Sequence, residues 1–121
     1  MSKIDRKAQM REYKESVRPA GIYRIRNRAT GKSLVGMSAD ITSILNRHRF
    51  QLDNGSFPDA ELQRDWTSLG ADGFDFETVD VLEPKDEPGY DPKPELVTLK
   101  ALWMEKFSED GEQIYARSRL I

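Results

Sequence analysis

The sequence predicts one α+β domain in which helices flank a small three-stranded, mostly antiparallel sheet. Three observations predict this class: short β-prone runs bounded by turn residues, apolar residues at helical spacing, and a length of 121 residues, which suits one core. Because the chain has no cysteine, disulfides, thiolate nucleophiles and zinc–cysteine sites are excluded. No apolar run is long enough for a membrane span or a signal peptide, so we expect a cytoplasmic protein without a membrane partner.

The strands are expected in three short segments. Residues 21–27 and 33–37 are β-prone runs joined by the turn residues Ala29-Thr30-Gly31, which predicts a hairpin. Residues 74–82 are rich in β-branched and aromatic side chains and should add the third strand. The sheet would therefore consist of the hairpin and one later strand.

Helices are expected between and around these strands. Residues 1–18 are predicted to form an N-terminal helical extension that ends before Pro19. Ser38 or Asp40 can cap a helix that ends near Asn54-Gly55, and a second helix should begin near Pro58. The inward side chains expected are Ile41, Ile44, Leu45, His48 and Leu52 in the first helix, Leu62, Trp66 and Leu69 in the second, and Leu96, Leu99, Leu102, Trp103 and Phe107 in the third.

The ends of the domain are less regular. Residues 83–94 hold four of the six prolines, which predicts an extended loop. Residues 108–121 contain turn residues and few apolar anchors, so we expect a C-terminal tail after a domain that spans residues 19–107.

Charge is distributed unevenly along the chain. Residues 1–52 contain twelve lysines and arginines against four acids, whereas residues 53–121 contain seven against seventeen. The basic half can attract phosphates, and the alternative is that the two halves neutralise each other across the fold. Arg24, Arg26 and Arg28 alternate along the first strand, which places them on one face, where we expect Lys32 to join them. This cluster is the strongest indication of phosphate binding from the residues alone.

Other candidate sites are weaker on the residues alone. His48 is the single histidine, and a lone histidine on a partly apolar helical stripe is more often structural than a ligand. Four acids lie in or beside the third strand, and we interpret them as a solvated strand face rather than as metal ligands: Asp72, Asp75, Glu77 and Asp80. The residues therefore predict no metal site.

The hairpin resembles the signature of the GIY-YIG nuclease superfamily. Gly21-Ile22-Tyr23 is intact, Thr30-Gly31-Lys32 fits the turn, and the partner triplet is altered to Leu34-Val35-Gly36. Later segments fit the remaining spacing of the family: Ser38-Ala39-Asp40-Ile41, Asn54-Gly55, Glu61-Leu62-Gln63-Arg64-Asp65-Trp66, Gly70 and Phe74-Asp75-Phe76-Glu77. The resemblance covers about residues 20–107 and implies the GIY-YIG fold.

The resemblance also implies where a nuclease site would lie. Nucleases of this family use a tyrosine from each hairpin strand, an arginine and often a histidine on the first helix, and a metal-binding glutamate on a later helix. Tyr23 and His48 match two of these positions and are the implied catalytic residues. The second tyrosine, arginine and glutamate positions hold Leu34, Ile44 and Lys100.

These three substitutions weaken the implied nuclease. Leu34 and Ile44 cannot stabilise the charge of a phosphorane. A glutamate at this position would attract a divalent metal ~4 Å away by at most roughly 8 kcal/mol, at an effective dielectric constant of about 20. Lys100 replaces that attraction with repulsion. Metal binding in the family manner is therefore not expected.

We therefore expect a GIY-YIG-fold protein that binds nucleic acid, DNA rather than RNA, with weak or absent phosphodiester hydrolysis and no cofactor. The expected binding residues are Arg24, Arg26, Arg28, Lys32, Arg47 and Arg49. One alternative is an active endonuclease with a rearranged site that uses Mg²⁺. A second is a protein-interaction or transcription-regulatory module whose basic half binds an acidic protein partner.

Overall fold

The structure, a computed structural model, describes residues 18–85 and 87–121. The strands are β1 (Gly21–Asn27), β2 (Ser33–Ser38) and β3 (Phe74–Val81). The helices are α1 (Ile41–Asp53), α2 (Ala60–Leu69) and α3 (Lys93–Glu109), with short 3-10 turns at Ala71–Gly73 and Ala116–Arg119. The predicted α+β class is confirmed, while the predicted helix within residues 1–18 lies almost wholly outside the described residues.

The sheet has β1 at its centre. Its strand order is β2-β1-β3, and both pairings are antiparallel. In the hairpin, Arg26 is paired with Ser33, and on the other side β1 pairs with β3 across an irregularity between Ile22 and Tyr23. A Cβ atom at Gly21 would lie 2.0 Å from the carbonyl oxygen of Asp80, so only glycine permits this close approach of β1 to β3.

Helices cover both faces of the sheet. Ile25 and Leu34 pack on one face against α1 and α2, in a cluster that also includes Leu62 and Trp66. On the opposite face, Ile22 and Val35 pack against Phe107 of α3. The domain therefore has three layers, with the hairpin buried between them.

Two side chains that were expected to point inward are exposed. Leu69, at the end of α2, is 47% exposed, and Leu102 is 59% exposed. The inward stripe of α3 runs through Leu99, Trp103 and Phe107 at helical spacing, and Leu102 lies about 100° away from it around the helix. The prediction was wrong at these positions because apolar character alone does not fix the phase of a helical stripe.

The segment of residues 113–121, which we call the C-terminal segment, closes the outer edge of β2. Ser33 N donates to Gln113 O, Tyr115 N donates to Ser33 O, and Val35 N donates to Ser118 Oγ. Tyr115 and Ser118 are both fully buried. The expectation of few anchors after residue 107 was wrong, because this segment supplies a core aromatic ring and satisfies backbone groups of an edge strand.

Aspartates begin the two helices on the first face. Asp40 accepts a hydrogen bond from Ser43 N at the start of α1, as one of the two predicted caps, and Asp59 accepts from Leu62 N at the start of α2. Such caps satisfy amides that the first helical turn leaves free. In the described part of the chain, no helix combines the length and the apolar character that a bilayer crossing requires.

Candidate functional site

The two implied catalytic residues meet in the structure. Tyr23, on the central strand, places its hydroxyl 2.8 Å from Nε2 of His48 on α1. Tyr23 is 1% exposed and His48 is 6% exposed. Gly36 lies opposite Tyr23 in the hairpin, where a Cβ would come within 2.3 Å of the tyrosine hydroxyl. The glycine of the altered triplet therefore makes room for the tyrosine ring.

The pair is held in neutral form. Burial raises the pKa of Tyr23 far above its usual value, against the opposing effect of the nearby Arg117 charge. Burial also lowers the pKa of His48; Gln51 acts in the opposite direction, and the charges of Arg47 and Arg117 lower it further. A neutral phenol can donate a hydrogen bond to a neutral Nε2, and the raised pKa of Tyr23 together with the lowered pKa of His48 opposes transfer of the proton itself.

The three substituted positions hold two apolar side chains and one lysine. Leu34 is fully buried in the core, and Ile44 lies half-buried on α1. Lys100, on α3, donates from Nζ to the main-chain oxygens of Ser118 and Ile121, and burial lowers its pKa. Lys100 therefore anchors the C-terminal segment at the position where a metal-binding acid was implied.

At the implied ligand position, the side chain present does not suit a divalent metal. Across residues 18–85 and 87–121, no group of three or more histidine and acidic side chains is close enough to hold an ion. A cationic Lys100 at the implied ligand position opposes Mg²⁺, whose usual protein ligands are carboxylates.

Most of the predicted basic strand face is neutralised by the acidic half of the chain. Arg24 Nη2 lies 2.6 Å from Glu77 Oε2, its Nη1 lies 3.5 Å from Glu112 Oε2, and its guanidinium covers the ring of Phe107. Arg28 lies 3.6 Å from Asp75. The alternative in which the two halves neutralise each other therefore holds for both of these arginines.

Arg26 differs from its neighbours. It has no carboxylate partner among the described residues, and its buried Nε makes no hydrogen bond there. Its unengaged charge keeps it available as a binding residue, although only part of the side chain reaches solvent.

Lys32 does not join the arginines. Its Nζ lies 2.7 Å from both carboxylate oxygens of Glu61 on α2 and 5.2 Å from the ring centre of Tyr115. Because Ser33 pairs with Arg26, residue 32 has the opposite parity and its side chain projects towards the other face of the sheet. The predicted four-cation face was therefore wrong.

The acids of β3 are engaged rather than freely solvated. Glu77 pairs with Arg24 of β1, and Asp75 pairs with Arg28 in the turn after β1. Asp80 accepts a hydrogen bond from Trp103 Nε1 on α3. All three are only partly exposed. The predicted solvated face was wrong for these residues, while Asp72 is exposed in the 3-10 turn before the strand.

The cations on α1 remain accessible. Arg47 and Arg49 are exposed, and neither has a carboxylate within 4.0 Å among the described residues. Arg49 lies over the ring of Phe76, 4.6 Å from its centre. Arg47 stands beside His48, whose pKa its charge lowers.

Arg117 is the functional candidate that the sequence did not reveal. It lies in the C-terminal segment, close enough to the buried pair for its charge to lower the pKa of both Tyr23 and His48. The dipeptide Ile114-Tyr115, β-prone and apolar within a polar tail, was the signal that could have indicated an ordered segment here.

Comparison with solved structures finds the same fold in two structures. The catalytic domain of the homing endonuclease I-TevI matches with a TM-score of 0.61 and 24% identity, covering 79% of this chain and 95% of that one. A point mutant of the catalytic domain of the intron endonuclease I-TevI matches with a TM-score of 0.62 and 21% identity, covering 78% and 90%. No family model and no curated protein matches the sequence significantly. The chain therefore has the fold of a GIY-YIG nuclease catalytic domain.

Proposed function

We propose that this protein binds nucleic acid through backbone contacts and has a degenerate nuclease site with weak or absent hydrolysis. The main support is Lys100, which occupies the position where the resemblance implies a metal-binding glutamate. Its Nζ instead donates to main-chain oxygens of the C-terminal segment. The chain retains Tyr23 and His48 as a hydrogen-bonded pair. It lacks the second tyrosine, the arginine and the glutamate that would stabilise the charge of the transition state.

The binding surface centres on α1 in this proposal. Arg47 and Arg49 are exposed, free of carboxylate partners in the described part of the chain, and adjacent to His48. Arg24, Arg28 and Lys32 are engaged by acids and contribute less, because contact with a phosphate would cost their ion pairs. Phosphate contacts position a protein without reading bases, so we expect low sequence specificity.

Salt-dependent binding tests this surface. Affinity for single-stranded and duplex DNA and for RNA would be measured by fluorescence anisotropy in the wild type and in Arg47→Glu/Arg49→Glu. We expect that variant to bind much more weakly, and the slope of log K against log salt to become shallower by roughly two, about one for each lost phosphate contact.

A matched control separates local contact from net charge. Lys93→Glu/Lys106→Glu makes the same change in charge on α3, across the sheet from α1, at two exposed positions. It should retain most of the affinity. Equal losses in the two variants would contradict the α1 surface, and absence of binding in the wild type would contradict the proposed function.

An active endonuclease is the second candidate, and the preserved Tyr23–His48 pair favours it. Its test is cleavage of labelled single-stranded, duplex and branched DNA with Mg²⁺ or Mn²⁺, in the wild type and in Tyr23→Phe. Cleavage that disappears in Tyr23→Phe would support this candidate and reject the degenerate site. Binding without cleavage would support the first proposal.

A further inference from the structure

A groove lies between the beginning of α2 and the C-terminal segment. Its volume is about 450 Å³, and two arginines are among its lining residues, Arg64 from α2 and Arg117 from the C-terminal segment. Two acids also line it, Asp59 and Glu61, so the engagement of these four charges decides what the groove attracts.

The two acids are already occupied. Asp59 accepts from Leu62 N through Oδ1 and from Arg117 N through Oδ2. Glu61 places both oxygens 2.7 Å from Lys32 Nζ. Neither Arg64 nor Arg117 has a carboxylate within 4.0 Å in the part of the chain that the structure describes. Glu61 is neutralised by Lys32, whereas Asp59 keeps its charge, so the groove holds two unpaired guanidinium groups against one unpaired carboxylate and has a net positive charge.

The groove lies beside the buried tyrosine–histidine pair. Ser118, next to Arg117 in the chain, accepts a hydrogen bond from Val35 N of β2. Val35 is followed by Gly36, against which the Tyr23 ring packs. On the α2 side of the groove, Asp59 lies two residues after Phe57. The ring of Phe57 is edge-on to that of His48, with 5.1 Å between the ring centres. Both walls of the groove therefore continue into segments that contact the pair, and the charge of Arg117 acts on both Tyr23 and His48.

We propose that Arg117 and Arg64 form a phosphate-binding site in this groove, and that Arg117 holds a nucleic-acid phosphate next to the Tyr23–His48 pair. Guanidinium groups bind phosphate oxygens through paired hydrogen bonds, which suits two unpaired arginines in one groove. The inference rests on the proposed function, since the phosphate belongs to a bound nucleic acid. It extends that surface from α1 to the C-terminal segment.

The single histidine provides a direct probe of the site. His48 is the only histidine in the sequence, so its ring signals in an NMR spectrum need no assignment. These signals would be followed while inorganic phosphate, and separately a short single-stranded DNA, is added to the wild type, Arg117→Ala and Arg119→Ala. Arg119 is the matched control, because it is exposed in the same 3-10 turn and does not line the groove.

We expect both ligands to shift the His48 signals in the wild type and in Arg119→Ala. In Arg117→Ala the shifts should disappear and the Kd for the DNA should rise about ten-fold, the loss of one charge-assisted contact. The Arg117 backbone bond to Asp59 does not need the side chain, and unchanged circular dichroism would verify that the variant folds.

The other outcomes separate the two proposals. Wild-type shifts that persist in Arg117→Ala would overturn the inference, while DNA binding that still depends on Arg47 and Arg49 would leave the proposed function standing. A third outcome is that inorganic phosphate shifts the His48 signals only when Arg117 is present, while no nucleic acid binds. That result would show an anion site at Arg117 but would reject both a nucleic-acid phosphate as its ligand and the proposed function.

Discussion

Gly36→Ala should be strongly destabilising because Tyr23 leaves no room for a methyl group. The added Cβ would lie 2.3 Å from the hydroxyl and from Cζ of Tyr23, far inside the roughly 3.5–4.0 Å of normal carbon contact. The ring is 1% exposed and hydrogen-bonded to His48, so it cannot move without breaking that bond. Overpacking costs about 1–3 kcal/mol, and an unsatisfied buried polar group adds a comparable amount.

A loss of about 3 kcal/mol in the free energy of unfolding would lower the Tm by roughly 12 °C in a domain of this size. Thermal denaturation followed by circular dichroism would measure it. Gly73→Ala is the matched control, because its Cβ would lie 3.4 Å from Leu69 Cβ, an ordinary contact, and Gly73 has no positive φ. If the two variants melted at the same temperature, the steric reasoning about Gly36 would be refuted.

Three further predictions concern the pair and its anchor. Because folding lowers the pKa of His48, the unfolded chain takes up the histidine proton at a higher pH than the folded chain does. The contribution of neutral His48 to the free energy of unfolding is therefore complete above about pH 6.5 and decreases as the pH falls below that value. The urea midpoints measured at pH 7 and at pH 5 should differ less in His48→Gln than in the wild type. Tyr23→Phe should lose about 1–3 kcal/mol of unfolding free energy in urea denaturation, since Nε2 loses its partner; an unchanged midpoint would contradict the bond. Lys100→Met should speed amide hydrogen exchange at Tyr115 while exchange in α1 stays slow, because the lysine anchors the C-terminal segment; equal rates with the wild type would argue against this role.

The sheet could be predicted because its signals are local. The run Gly21–Asn27, the turn after it and the aromatic run from Phe74 each specify a strand within a few residues, and the strands begin where expected. The resemblance singled out Tyr23 and His48 separately, and the structure brings their side chains into contact. Helix phase was harder, as Leu102 shows, because an isolated apolar residue can fall outside the stripe.

The charge partners could not be predicted because they depend on contacts between distant residues. Arg24 meets Glu77, 53 positions later, only through the register of β1 with β3. Lys32 could have been placed correctly, because counting from a hairpin pair gives the parity of each side chain. The dipeptide Ile114-Tyr115 could have indicated an ordered segment, but it does not place Arg117, whose position follows from Asp59 and from the pairing of the C-terminal segment with β2.

The closure of β2 by the C-terminal segment has a consequence for the order of folding. The hairpin can form as soon as both of its strands have been synthesised, but the bond from Val35 to Ser118 joins residues 83 positions apart. At a synthesis rate of about 5–20 residues per second, the outer edge of β2 stays unpaired for several seconds on the ribosome. During that interval it can pair with strands of other chains, so nascent copies are most prone to aggregate before residues 113–118 arrive.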